Sequence, residues 1–122
     1  MEEVQGMIFD HVAQIVPNIA EAVRWYRDHF EHAEVLYQDD SWAFLDCGGT
    51  RLAFVLKDEH PGHIAWRVSE SELERLATKY GKPIKPHRDR TKSFYLEAPG
   101  GQHIEIITFP PDADARVAPR TA

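Results

Sequence analysis

Polar and hydrophobic residues alternate in two short stretches of the chain that resemble each other. In "DHVAQIV" (residues 10–16), His11 and every second residue after it point to one side of an extended backbone, and His63 begins the same pattern in "GHIAWRV" (62–68). A period of two residues is typical of a strand that buries one face. Both stretches therefore predict a strand led by a histidine, and the two histidines lie 52 positions apart.

A helical pattern follows each of these strands, and three further strands follow each helix. The helical segments, 18–30 and 71–80, are introduced by a polar acceptor with glutamate three residues later, which is the signature of a helix start. Turn residues then separate short strands. These are predicted at about 33–38, 41–46 and 51–57 in the first half and at about 84–88, 92–97 and 102–109 in the second. Each half therefore has the order β-α-β-β-β.

The two halves also align with each other in sequence. "FLDCGGTRLAFVL" (44–56) lies over "YLEAPGGQHIEII" (95–107) at an offset of 51, and the offset of 52 between the two histidines implies one inserted residue. This alignment places Phe54 opposite Glu105. Because a βαβββ unit cannot cover both faces of its own sheet, we predict an α+β fold in which two tandem units form a cup-shaped mixed sheet with the helices outside.

Length and composition limit the class of protein. A chain of 122 residues is the size of one domain, with units at about 8–57 and 62–109 and a Pro- and Ala-rich tail, 110–122, that is expected to be disordered. A net charge of −6 argues against a nucleic-acid partner, and no apolar run is long enough for a membrane. With Cys47 as the single cysteine and no signal-peptide pattern, a cytoplasmic location is expected.

Strand parity predicts which side chains could share a site. His11 and His63 point into the cup, as does Glu105 in the closing strand "HIEII". A glutamate among apolar residues is costly to bury unless it is paired or bound to a cation. Two histidines and one carboxylate suit a divalent first-row metal whose other positions stay open to water, substrate or oxygen. The alternative is a metal-free relative in which the three side chains hydrogen-bond to one another.

The sequence as a whole resembles the vicinal oxygen chelate superfamily, which includes glyoxalase I, extradiol dioxygenases, fosfomycin-resistance enzymes and bleomycin-binding proteins. The resemblance covers about 8–109 and rests on "FDHVAQIVPNIAEAVRWYRDHF", "GHIAWRV" and "SFYLEAPGGQHIEII". It implies metal ligation by His11, His63 and Glu105, and chelation of a substrate through neighbouring oxygens. Glyoxalase I-like members commonly have a fourth ligand, a glutamate, where this chain has Phe54. The departure favours the three-ligand pattern of dioxygenases and fosfomycin-type enzymes.

Other side chains are candidates for contact with substrate. Arg67 shares the face of His63 and could hold an anionic group, with a salt bridge at the strand end or a place in a subunit contact as the alternatives. Aromatic side chains could line the cup and stack on a planar ligand, or could belong to the core: Trp42, Phe44, Phe54 and Tyr95.

Candidates for proton transfer are His103, two residues before Glu105, and Tyr95. His103 could also be a partner of a metal ligand or a histidine at the rim. The remaining histidines fall at helix ends or in loops and are given no chemistry: His29, His32, His60 and His87.

The resulting hypothesis is a homodimeric enzyme with one divalent metal ion per site, Fe²⁺ or Mn²⁺ being favoured and Ni²⁺ or Zn²⁺ compatible. Its small-molecule substrate would chelate the ion through adjacent oxygens, in a reaction of the dioxygenase type or of the lyase, isomerase or transferase type. The alternative is a non-catalytic binding or sequestering protein, similar to bleomycin-resistance proteins.

Overall fold

A computed structural model describes residues 7–111 and contains each of the ten predicted elements. They are β1 (Ile8–Ile15), α1 (Ile19–His29), β2 (Ala33–Gln38), β3 (Trp42–Cys47), β4 (Thr50–Val55), β5 (His63–Arg67), α2 (Glu70–Tyr80), β6 (Lys85–Pro86), β7 (Lys92–Glu97) and β8 (His103–Thr108). The predicted α+β class, with two βαβββ units and a mixed sheet, is confirmed. Most of the predicted tail, from residue 112 onwards, lies outside the described residues.

The largest difference from prediction concerns β6, which has two residues instead of the expected 84–88. Pro86 has no N–H to donate to a neighbouring strand, and this limits the length of a ladder at that position. Within residues 7–111, no helix is both long enough and apolar enough to span a bilayer.

The chain divides into two compact units. Among the described residues, the amino-terminal unit is His11–His63, and the carboxy-terminal unit combines 7–10 with 64–111. The strands of the amino-terminal unit are ordered β2-β3-β4-β1, and those of the carboxy-terminal unit are ordered β5-β8-β7-β6. In both, the last strand of the βαβββ unit therefore lies next to the first, so the two units repeat one topology.

In the amino-terminal unit, α1 covers one face of the sheet. The helix begins at Asn18, whose Oδ1 accepts a 2.8 Å hydrogen bond from the backbone N–H of Glu21. Strand β4 pairs parallel to β1 and antiparallel to β3. The core beneath the helix consists of buried side chains from the helix and from alternate strand positions: Val16, Ile19, Val23, Ala43, Leu45 and Phe54. The intervening strand positions face the other way.

The carboxy-terminal unit is built in the same manner. Ser69 caps α2, which ends at Gly81 in the left-handed conformation (φ 67°) that glycine adopts without steric cost. The core beneath α2 contains Val68, Leu73, Ala77, Phe94 and Ile106. Because side chains alternate along β7 and β8, the residues next to Phe94 and Ile106 face away from this core. Tyr95 and Glu105, which lie directly opposite each other, are such residues.

The prediction that Phe54 lines a substrate site is wrong. Its side chain is fully buried in the core beneath α1, with its ring centroid 5.1 Å from that of Tyr26. The pairing registers explain the error, because Phe44 lies opposite Ala53 whereas Tyr95 lies opposite Glu105. The structural counterpart of Glu105 is therefore Ala53.

The two halves also differ by one residue in a hairpin turn, separately from the difference before Phe44 that the sequence implies. In the amino-terminal unit, four residues (47–50) separate the paired Asp46 and Arg51, whereas five residues (98–102) separate the paired Glu97 and His103. The offset between the halves thus changes from 51 to 52 within the turn.

Candidate metal centre

Two buried histidines form the centre of the candidate site. His11 lies on β1 and His63 opens β5, with exposed fractions of 8% and 5%. Their Nε2 atoms are 3.4 Å apart. Two ligand atoms about 2.1 Å from the same ion, at an angle between tetrahedral and octahedral values, are separated by roughly 3.0–3.4 Å. The spacing of the two nitrogens is therefore that of two ligands of one metal ion.

The backbone around His63 fixes which of its nitrogens is available. Its Nδ1 lies 2.9 Å from the carbonyl oxygen of Pro61, and a carbonyl oxygen only accepts hydrogen bonds. Nδ1 therefore carries the hydrogen in the neutral ring, and Nε2 keeps the lone pair that a metal requires. A backbone carbonyl in this role is a common way to orient a metal-binding histidine.

A glycine precedes His63 at a point where the backbone passes close to Ala13. A side chain on Gly62 would place its Cβ only 3.3 Å from the backbone oxygen of Ala13. The residue before His63 therefore has little room for a side chain, and Gly62 fits this position. The His11 ring also contacts the ring of Phe44 edge-on, with the two centroids 5.6 Å apart.

The third member of the group is Glu105, on β8. It is only 5% exposed. His11, His63 and Glu105 each offer one ligand atom, and these atoms all lie within 4.8 Å of one another. The structure thus brings together the three residues that the sequence selects as candidate ligands. Two imidazole nitrogens and one carboxylate oxygen are a donor set that a divalent first-row ion accepts, so this buried group could hold a metal.

Tyr95 lies directly opposite Glu105 and is half-buried. Burial raises the pKa of the Tyr95 phenol well above its usual range, and the negative charge of Glu105 raises it further. At neutral pH the side chain is therefore a phenol that donates a hydrogen bond, which argues against the predicted role of Tyr95 as a general base. The ring of His103, the other candidate base, has its centroid 6.4 Å from that of Tyr95.

A row of aromatic rings extends from His11 along the amino-terminal unit. Phe44 is almost fully buried, Trp42 has its centroid 5.9 Å from that of Phe44, and the exposed Tyr37 stacks on Trp42 at 4.7 Å. The guanidinium of Arg51 lies over the Phe44 ring, 5.5 Å from its centroid. Of the predicted aromatic contacts, Trp42 is thus the more accessible and Phe44 the more buried.

Arg67 lies on β5 and is half-buried. Burial lowers the pKa of its guanidinium, and the charge of the buried Asp10 carboxylate opposes that effect. The interaction with Asp10 agrees with the alternative of a salt bridge at the strand end.

The residue that the sequence reasoning missed is His87. Its Nε2 is 2.7 Å from the Ser93 hydroxyl oxygen and 4.0 Å from Oε2 of Glu105. Lys85 lies opposite Ser93, and His87 is two positions further along the chain. The sequence alone could not show this, because β6 has only two residues and ends at Pro86.

Comparison with known proteins assigns the family. The model of the glyoxalase/bleomycin resistance protein/dioxygenase superfamily matches residues 8–120. The chain belongs to this superfamily. The match includes both histidine-led strands and the closing strand with Glu105, so the resemblance identified from sequence motifs is confirmed.

Several solved structures have a similar fold. A superfamily member from Vibrio splendidus 12B01 is 16% identical with a TM-score of 0.60, over 84% of this chain and 99% of the other. Methylmalonyl-CoA epimerase from Mycobacterium tuberculosis is 20% identical with a TM-score of 0.62, over 84% and 88%. An extradiol ring-cleaving dioxygenase from B. fuscum is 15% identical with a TM-score of 0.61, and the match covers 95% of this chain but 35% of the dioxygenase.

Among curated proteins, a 63-residue segment is 36% identical to human Protein ELYS, which corresponds to 47% of this chain and 3% of that protein. The chain thus spans a very small part of this relative. The superfamily assignment rests on the family model.

Proposed function

We propose that the protein is a divalent-metal-dependent enzyme whose ion is held by Nε2 of His11, Nε2 of His63 and a carboxylate oxygen of Glu105. Its substrate is a small molecule that offers two adjacent oxygens. The observation that carries this proposal is the buried group of three ligand atoms, all within 4.8 Å of one another, in a member of a superfamily that includes dioxygenases and glyoxalases.

Three protein ligands leave room for substrate oxygens in the coordination sphere of a first-row ion. Once bound, the ion would supply Lewis-acid chemistry, stabilising negative charge that develops on the substrate. Fe²⁺ or Mn²⁺ is the favoured ion, and Ni²⁺ or Zn²⁺ fits the same donors. Lyase chemistry, a homodimer and a cytoplasmic location stay predictions from the sequence.

Neighbouring side chains of the chain would orient the substrate and move protons. Tyr95, held as a phenol beside Glu105, would donate a hydrogen bond to a substrate oxygen. His103, whose ring lies next to that of Tyr95, is the candidate base. Trp42 and Phe44 would contact a planar or apolar part of the substrate, and Arg67 an anionic part.

The first experiment is a measurement of metal content and affinity. Protein purified under anaerobic conditions and loaded with Fe²⁺, Mn²⁺ or Zn²⁺ should retain about one ion per chain. His11→Ala, His63→Ala and Glu105→Gln should each weaken binding by at least about 100-fold, since even removing a residue that only orients a ligand costs roughly 10–100-fold. The matched control is His60→Ala, which removes an exposed histidine three residues from His63.

A second candidate function is non-catalytic binding of a small molecule. The distance of 3.4 Å between Nε2 of His11 and Nε2 of His63 favours this function, because it also allows the two side chains to hydrogen-bond to each other without an ion. Metal-free and metal-loaded protein should be tested against catechols, hemithioacetals and epoxide phosphonates. Turnover that requires the ion supports the enzyme. If the chain holds no metal and the three variants bind a ligand as tightly as the parent, the binding protein is the correct function.

A further inference from the structure

The β6–β7 hairpin holds His87 in a defined position. The backbone N–H of His87 donates to the carbonyl oxygen of Thr91, and the N–H of Arg90 donates to the carbonyl oxygen of His87, both at 2.9 Å. Within the turn, a carboxylate oxygen of Asp89 accepts hydrogen bonds from the Thr91 backbone N–H at 3.0 Å and from its hydroxyl at 2.6 Å. These four bonds restrict the backbone from which the imidazole projects.

The imidazole of His87 is also held at its tip. Nε2 lies 2.7 Å from the hydroxyl oxygen of Ser93, a residue with no exposed surface. The same nitrogen is 4.0 Å from Oε2 of Glu105, whose side chain is 7% exposed, while 30% of the His87 side chain is exposed. Because 4.0 Å is longer than a hydrogen bond, Nε2 of His87 and Oε2 of Glu105 are close without being hydrogen-bonded, and a small rotation of either side chain would bring the two atoms within hydrogen-bond distance.

We propose that His87 is a positioning residue for Glu105, anchored by Ser93, that restrains one carboxylate oxygen so that the other is presented to a metal ion. This inference rests on the proposed metal-binding function. A carboxylate that binds a metal through one oxygen is commonly held by a hydrogen-bond donor at the other, which fixes its rotation and tunes the ligand. His87, which follows β6, is placed to do this with an Nε2–H shared between Oε2 of Glu105 and the hydroxyl oxygen of Ser93, and the contact with Ser93 keeps the ring from turning away.

The test compares His87→Ala with His87→Gln in the full-length chain, using Co²⁺ as the probe. His87→Ala should weaken Co²⁺ affinity by roughly 10–100-fold, because the carboxylate loses its restraint. It should also shift the visible absorption of the bound Co²⁺, which reports on ligand geometry. The Gln side chain carries an N–H that can approach the position of Nε2–H, so His87→Gln should recover most of the affinity and the parental spectrum. His60→Ala is the matched control and should equal the parent.

The possible results separate the two proposals. If the parent binds Co²⁺ and His87→Ala changes neither affinity by more than about twofold nor the spectrum, the positioning role is wrong and the metal site stands. If the parent binds no divalent ion under any loading condition, both proposals are wrong. Should His87→Ala fail to fold in a thermal melt, Ser93→Ala takes its place, because freeing the imidazole from its anchor should produce the same spectral shift and a smaller loss of affinity.

Discussion

Ala53 and Phe54 are neighbours on β4, and their side chains point to opposite faces of the sheet. Ala53 pairs with Ala13 on one side and Phe44 on the other, on the face that carries His11. Phe54 lies on the face covered by α1. A difference of one position along β4 therefore decides whether a side chain shares the sheet face of His11 or lies in the core beneath α1.

Replacement of Phe54 tests this assignment. Phe54→Ala should lower the free energy of unfolding by about 3–5 kcal/mol, because it opens a cavity in a core from which the side chain is wholly excluded from solvent. Phe54→Leu, which keeps most of the volume, should cost much less. Urea denaturation measures both, and metal affinity should stay close to that of the parent for any variant that folds. A loss of unfolding free energy below about 0.5 kcal/mol for Phe54→Ala would contradict the core position.

The positions of individual candidate residues were predictable where they lie on a regular strand. His11, His63 and Glu105 lie on strands long enough for alternation to set their direction, and the structure brings them together. His87 was not predictable in this way, because it follows a two-residue strand that ends at a proline. The direction of its side chain comes from the hairpin and from Ser93, which are tertiary features.

Among the turns, the β2–β3 connection is organised by a single carboxylate. Oδ1 of Asp39 accepts hydrogen bonds from the backbone N–H of Ser41 at 2.8 Å, from the Ser41 hydroxyl at 2.9 Å and from the backbone N–H of Trp42 at 3.0 Å. Its Oδ2 accepts from the Tyr37 hydroxyl. These bonds, that of Tyr37 above all, lower the pKa of Asp39 from 3.8 to about 2.

The lowered pKa predicts a pH dependence. Since the folded pKa of Asp39 lies below its ordinary value, the stabilisation is complete above about pH 4 and is lost as the pH falls towards 2. Asp39→Asn should therefore remove part of the decrease in unfolding free energy that the parent shows over this interval. Urea midpoints at several pH values would measure the difference. Asp40→Asn, at the exposed neighbouring position, is the control and should follow the parent.

The elements as a group were predictable from the sequence because their signals are local. Each helix start has a side-chain cap that the structure confirms, with Asn18 accepting from Glu21 and Ser69 accepting from Glu72. Hydrophobic periodicity and Gly-Gly turns located the strands within a few residues. Pairing between strands depends on contacts distant in sequence, so the register of β4 could not be fixed from its own residues.

For the molecule as a whole, a bound ion should be a source of stability. An ion that binds the folded chain and not the unfolded one adds about 2.7 kcal/mol at a free concentration 100 times its Kd. The metal-loaded protein should therefore melt at a higher temperature than the same protein treated with a chelator, and the difference should grow with ion concentration. In His63→Ala this difference should disappear, while His60→Ala should retain it. Equal melting temperatures with and without the ion in the parent would contradict the metal centre.

The five-residue turn between β7 and β8 has a consequence for how such duplicated chains are compared. It puts the two halves out of phase by one position after their third strand, and in a strand one position reverses the direction of the side chain. An alignment of the halves at a constant offset of 51 equates Glu105 with the core residue Phe54. A gap in the turn equates Glu105 with Ala53, which shares the face of His11. The apparent replacement of a glutamate by a phenylalanine between the two halves is thus partly a result of the difference in turn length. An alignment of the halves that looks for lost or gained ligands must place a gap in that hairpin.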